Sequence, residues 1–198
     1  MTSAAQAAAL VFASDRRFTA MTALRSDFVG QASWYEAEET AEGFGVRVTI
    51  GSGDCMAGCI DRHTWTYAVG RDGTIELVAD EGDPVEATPI DVGPNPAQVM
   101  ITLDASPACP VQQLPPDPNC EPRPVVNAEV ALHDPSGTEI GRGVTDAEGQ
   151  VVFEVPGGAY YVEALPVEGP MQTPAAQAFS VPAGSDVGLL MSYDTGIR

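Results

Sequence analysis

The chain has 198 residues and a formal charge of −19, and all nine of its basic residues are arginine. These arginines are scattered, whereas a nucleic-acid groove or an anionic membrane surface needs clustered cations, so neither is expected as a partner. The missing lysine excludes a Walker-type phosphate loop, Schiff-base catalysis and lysine isopeptide cross-links.

An apolar and aromatic share of 44% supports a packed core, while 20 glycines and 17 prolines favour short strands and turns over a helical bundle. No run approaches the length of uninterrupted apolar residues that a membrane helix needs, so no transmembrane segment is expected. The opening "MTSAAQAAALVFASDRR" lacks a basic n-region and is broken by Gln6, so it does not read as a signal peptide. The four cysteines form two local pairs, Cys55/Cys59 and Cys109/Cys120, which fits an oxidising compartment. Two disulfides are expected, contributing roughly 2 and roughly 3 kcal/mol in the chain-entropy model. Reduced structural thiols are the alternative for a cytosolic protein. An exported protein is expected, its leader absent from this sequence.

The first element reads as a helix. Ser3 caps it, Gln6 completes a capping box, and Ala7, Leu10, Val11 and Ser14 follow at helical spacing. "SDRRFTAMTALRSDF" (14–28) is expected to add a second short helical piece. The period then changes to two. "SWYEAEE", "GVRVTI", "HTWTYAV" and "TIELVAD" alternate as strands, with "GRDG" as a hairpin turn between the last two. Residues 1–80 are therefore expected to be an α+β domain, a helix with a four-stranded antiparallel meander. Residues 81–97, acidic and proline-rich without apolar period, read as a linker. Residues 98–198 read as an all-β sandwich of short strands separated by "PSG", "AEG" and "PGG" turns. Its loop "PACPVQQLPPDPNCEPRP" carries too much proline for a central strand, and Cys109 and Cys120 would staple it.

The stretch 128–164 contains Thr145-Asp146-x-x-Gly149, Pro156-x-Gly158 and Tyr160-x-Val162. On these motifs the C-terminal half resembles the carboxypeptidase regulatory-like domain, a prealbumin-like sandwich also similar to Cna-B surface repeats. The resemblance implies a β-sandwich in a non-catalytic accessory, adhesive or glycan-associated module. Without lysine, the Cna-B type of isopeptide has no donor. The helix, meander and "DGTIELV" return strand of the N-terminal half are similar to PepSY and cystatin-like folds, and imply no activity.

Cys55-x-x-x-Cys59-x-x-x-His63 is the stretch that bears most on chemistry. Its spacing resembles part of the dinuclear copper motif of cytochrome oxidase subunit two, but Thr66 stands where that motif has methionine. Two thiolates and an imidazole suit copper or zinc, with Asp54, Asp61 or Met56 as further ligands. A redox pair is a second reading, weakened by the three-residue spacing. The favoured reading is a disulfide at a hairpin tip. A three-residue "MAG" loop would put Cys55 opposite Cys59, Ile50 opposite Thr64 and Gly51 opposite His63. Cys59, Asp61, His63, Trp65 and Tyr67 then share one face, with His63 packed on Trp65 or paired with Asp61.

The acids Glu36, Glu38, Glu39 and Glu42 read as a solvated strand face, Trp34 and Trp65 as core, and Tyr193 as closing the last strand. A Ser-His-Asp triad would have to draw on His63 or His133 and lacks a G-x-S-x-G turn. Together these features predict a non-catalytic extracytoplasmic binding or structural protein without a cofactor, whose partner is a protein or glycan surface. The alternative is a metal-binding protein using Cys55, Cys59 and His63, and a third reading is an enzyme of unrecognised type in the N-terminal half. The sequence sets neither ligand nor oligomeric state.

Overall fold

A computed structural model describes residues 1–25, 28–85, 89–110 and 117–197. Helix α1 spans Ala4–Ser14. The Ser3 hydroxyl accepts the Gln6 N–H at 3.1 Å, as the capping box requires, but the Gln6 carboxamide reaches back to the Thr2 N–H rather than to Ser3. The helix is buried on nearly all sides, at Ala5, Gln6, Ala7, Ala8, Ala9, Val11 and Phe12. An alanine-rich helix has little bulk on any face, so two layers can close on it from opposite sides.

The segment after α1 is not the second helix expected from its composition. The Asp15 carboxylate accepts the Arg17 N–H and grips its guanidinium, and Ala20 takes a left-handed φ of 52°. The chain then runs extended: Met21 exchanges bonds with Ser180, and Thr22 and Leu24 bond to the backbone of Tyr35. Tertiary pairing outweighs local helix preference here. Ser26 and Asp27, also in the expected helical piece, lie outside the described residues.

Strands β1 (Ser33–Glu39), β2 (Gly43–Ser52), β3 (Asp61–Gly70) and β4 (Ile75–Gly82) form the expected antiparallel meander, in sequence order. Period-two alternation turns Phe44, Val46, Val48, Ile50, Trp65, Tyr67 and Val69 inward. Gly73, at φ 91°, closes the turn between β3 and β4.

Eight further strands build a sandwich: β5 (Ala97–Ser106), β6 (Arg123–Pro124), β7 (Glu129–His133), β8 (Glu139–Val144), β9 (Gln150–Val155), β10 (Gly158–Ala164), β11 (Gln177–Val181) and β12 (Asp186–Asp194). One sheet has the order β11-β10-β7-β8; in the other, β5 lies between parallel β12 on one edge and β6 and β9 on the other. Ile101, Leu103, Leu132, Val162, Phe179, Met191 and Tyr193 fill the space between them. The Thr-Asp-x-x-Gly motif has a local cause. The buried Thr145 hydroxyl accepts from Ala128 N–H and donates to Val125 O, Asp146 accepts the Glu148 and Gln150 N–H groups, and Gly149 turns at φ 74°. In Pro-x-Gly-x-Tyr, the Tyr160 hydroxyl donates to Pro156 O at 2.9 Å.

Helix α1 joins these parts. It packs on β1 and β2 from one side and on β10 and β11 from the other. One apolar cluster runs from the meander through the helix to Ala159, Tyr161 and Ala178 on the outer face of the sandwich. The layers are therefore meander, helix, sheet and sheet. Within the expected linker, Ile90 is buried and exchanges bonds with Arg16, and Asp91 O accepts the Ala183 N–H. Residues 86–88 lie outside the description.

Two buried polar contacts lock this seam. The Tyr35 hydroxyl accepts the Ala178 N–H at 2.7 Å. The Ser180 hydroxyl accepts the Met21 N–H at 3.0 Å and donates to Phe18 O at 2.7 Å. Ser180→Ala strands a buried donor and a buried acceptor, so it is expected to cost about 1–3 kcal/mol in a urea melt. A cost within ±0.3 kcal/mol of zero, on the order of a surface change, would contradict the seam.

Candidate functional site

The tip between β2 and β3 spans residues 53–60. Cys55–Ala57 make one 3-10 turn, Gly58 sits at φ 103°, and the Cys59 N–H bonds to Asp54 O. Cys55 and Cys59 are joined as a disulfide, and so are Cys109 and Cys120. The expected strand register is corrected by one residue: Ile50 pairs with His63, Gly51 with Arg62 and Ser52 with Asp61. The cause is Gly53, which turns at φ 78° as an extra residue on the upstream arm. The bridged cysteines thus stand one step out of register with the strands below.

The tip carries two apolar side chains into solvent, Met56 at 71% and Ile60 at 73% exposure. Phe28 and Val29, which lead into Gly30, are also exposed, and Phe28 lines a cavity with Gln177, Gly188 and Leu189. Gly30, at φ 96°, lies directly against Met56: a Cβ there would come 2.6 Å from its sulfur. The Gly51 N–H bonds to Ala32 O, tying this stretch to the base of the tip. Sequence reasoning missed it by assigning Phe28 to a helix; the left-handed glycine that follows was the available signal.

His63 lies below the bridge on the inward face of β3. Its ring stacks on Trp65 at 4.2 Å, Nε2 is 2.5 Å from Asp80 Oδ1 and Nδ1 is 2.9 Å from Asp83 O. The carboxylate partner is Asp80 on β4, not the expected Asp61. Arg17 covers the same indole, its guanidinium carbon 4.7 Å from the Trp65 ring. Burial pushes the Asp15 carboxyl up, but the Arg17 hydrogen bonds outweigh it and hold it below the usual range. Burial, with the charge of Asp15 nearby, pushes the Tyr67 phenol up to about 12. This group packs as a polar extension of the core, with both cysteine sulfurs committed to each other and both His63 nitrogens facing acceptors. Among the described residues, no group of three or more His, Cys, Asp or Glu side chains could hold a metal ion.

The other expected sites lie apart from the tip. Glu36 pairs with Arg47 at 3.3 Å and Glu39 with Arg71 at 2.5 Å, on the solvent side of the meander. His133 stacks on Tyr161 at 4.7 Å with Glu163 3.5 Å from its Nε2, on the sandwich. Trp65 is core while Trp34 stays half-buried with Arg62 over its ring. The Tyr193 hydroxyl donates to Leu165 O and closes the last strand. Residues 111–116 of the proline-rich loop lie outside the described residues.

No family model matches the chain. No curated protein matches it. Among solved structures, it is similar to the shaft pilin SpaA of Lactobacillus rhamnosus GG, with a TM-score of 0.40 at 13% identity, over 50% of each chain. The chain thus matches about half the length of that pilin. It is also similar to GBS52, a minor pilin of Streptococcus agalactiae, with a TM-score of 0.40 at 9% identity, over 89% of this chain and 94% of that one. The TIE protein of Bacillus anthracis gives 0.35 at 14%, over 89% and 33%. These superpositions are too loose to carry fold or function, which rest on the strand pairings and side chains above.

Proposed function

We infer that the protein is a non-catalytic binding or structural module of an extracytoplasmic compartment, acting through the stapled end of its meander. The carrying observation is the tip itself. A disulfide closes a turn that contributes nothing to the core and holds Met56 and Ile60 out in solvent, with Gly30 packed against Met56. Exposed apolar side chains on a rigid loop lose little freedom when a partner covers them, and such patches mark interaction surfaces. Two disulfides fit an oxidising compartment, and a net charge of −19 favours a partner with a basic rim.

The test compares fluorescently labelled wild type with Met56→Ser/Ile60→Ser on intact cells of the producing organism. Surface retention is expected to fall about tenfold in the variant, the scale of one well-buried apolar side chain, with the melting temperature unchanged. Equal retention would refute the tip as the contact. Metal analysis and thiol titration on the same sample separate this reading from a metal-binding one. No free thiol is expected before reduction and four after it. A stoichiometric metal with Cys55 and Cys59 titratable would overturn the assignment.

A further inference from the structure

The outer edge of β1 is partly covered by this chain's own backbone. The Tyr35 N–H donates to Thr22 O and the Leu24 N–H donates to Tyr35 O, both at 3.1 Å, so residues 22–24 lie parallel to β1 as an added strand one pairing long. Among the described residues the addition ends at Leu24. Alternate residues of a strand direct their amides to the same side, so Ala37 and Glu39 point theirs outward as Tyr35 does. Next to Ala37 the structure leaves a groove of about 540 Å³, walled by Ala23, Leu24, Pro174, Ala175 and Ala176. Alanine and proline make up much of its wall, with Leu24 and Tyr35 beside them.

The charges around the edge select an occupant. Glu36 and Glu38 alternate on the solvent face of β1. Glu36 has Arg47 opposite, whereas Glu38 faces Gly45 and has no cationic partner among the described residues. We propose that this open edge accepts an extended segment of another protein by strand addition, with arginine or lysine at alternate positions beside Glu36 and Glu38 and small apolar residues in the alanine-walled groove. A second copy of the chain does not fit. Pairing two β1 edges about Ala37 sets Glu36 against Glu38 twice, and like charges across a strand pair are destabilising. Nowhere does this sequence place two cations at alternate positions. Backbone hydrogen bonds would supply the register and the carboxylates the specificity. The edge is separate from the stapled tip and does not depend on it.

The experiment uses the full chain and two end-blocked hexapeptides of equal charge, an Arg-Ala repeat and an Arg-Pro repeat. In antiparallel addition the peptide residues opposite Ala37 and Glu39 share their face and must donate N–H to them, so the prolines of the second peptide cannot complete the amide ladder. The Arg-Ala peptide is expected to shift the Ala37 and Glu39 amide resonances, slow their hydrogen exchange and bind about tenfold tighter than Arg-Pro, the worth of one or two net hydrogen bonds. Glu38→Arg, an exposed change that leaves the fold intact by circular dichroism, is expected to weaken it by about fivefold, as for one ion pair. Equal affinity for the two peptides, shifts located away from Ala37 and Glu39, or indifference to Glu38→Arg would each overturn the proposal. Self-association through the same amides at rising protein concentration would overturn the choice of occupant.

Discussion

Phe12→Ala is expected to destabilise the meander and the sandwich together. The Phe12 ring is 2% exposed and meets Phe18 and Tyr35 edge to face, at centroid distances of 6.3 and 5.3 Å. Deleting a buried aromatic side chain at a site that cannot collapse costs about 3–5 kcal/mol. The site cannot collapse easily, because the helix that carries Phe12 is gripped on both sides by sheets. Tyr35, which loses a ring contact, is also the residue whose hydroxyl holds the Ala178 N–H of β11. The loss is therefore shared. Trp34 and Trp65 both lie in the meander and report its melting by fluorescence. Amide exchange along β5 and β12 reports the sandwich. Both are expected to shift to lower denaturant by the same free energy. A lowered fluorescence midpoint with unchanged protection in β5 and β12 would show two independent units instead.

Alkali is expected to loosen the same seam. Burial pushes the Tyr35 phenol up to about 12, with the Ala178 N–H as a smaller opposing influence. An unfolded tyrosine ionises near pH 10. The folded state thus binds the proton more tightly, and this contribution to stability is complete below about pH 10 and lost as the pH rises to about 12. A shift of this size corresponds to about 2–3 kcal/mol. Unfolding monitored by circular dichroism should steepen across that window, with a phenolate absorbance step that coincides with it. Tyr35→Phe removes the titrating group, so its alkaline step should shrink although its stability at neutral pH is lower, the Ala178 N–H having lost its acceptor. An unchanged step in the variant would rule Tyr35 out as its source.

Much of the strand layout was legible because alternation is a local signal. Val46, Val48 and Ile50 face inward as their spacing predicts, and β1 begins and ends where its residues suggest. The role of α1 was not legible. Ala5, Ala7, Ala8 and Ala9 count weakly as apolar in a helical pattern, and only the second sheet shows that they face something on every side. The stretch after Ser14 has helix-forming composition, but its backbone partners, Ser180 and Tyr35, are remote in sequence. At the tip, the cysteine pairing followed from spacing, while the register did not, because one left-handed residue at Gly53 shifts it. Asp80 as the partner of His63 depends on how β4 lies against β3, where the pairing slips between Thr66 and Tyr67. The open edge of β1 becomes visible only once strand order is known.

The position of α1 also fixes an order of events during synthesis. The helix leaves the ribosome well ahead of two of its partners, Gly158–Ala164 and Gln177–Val181. Until they arrive, one side of Phe12, Phe18 and the alanine helix has nothing to pack against. The meander and its helix cannot be completed on their own and must wait for Gly158–Val181 with an apolar flank open. Contacts that bridge such a separation make folding slow and leave the partial chain prone to association. A nascent chain stalled after Gly82 would therefore be the species most in need of a chaperone.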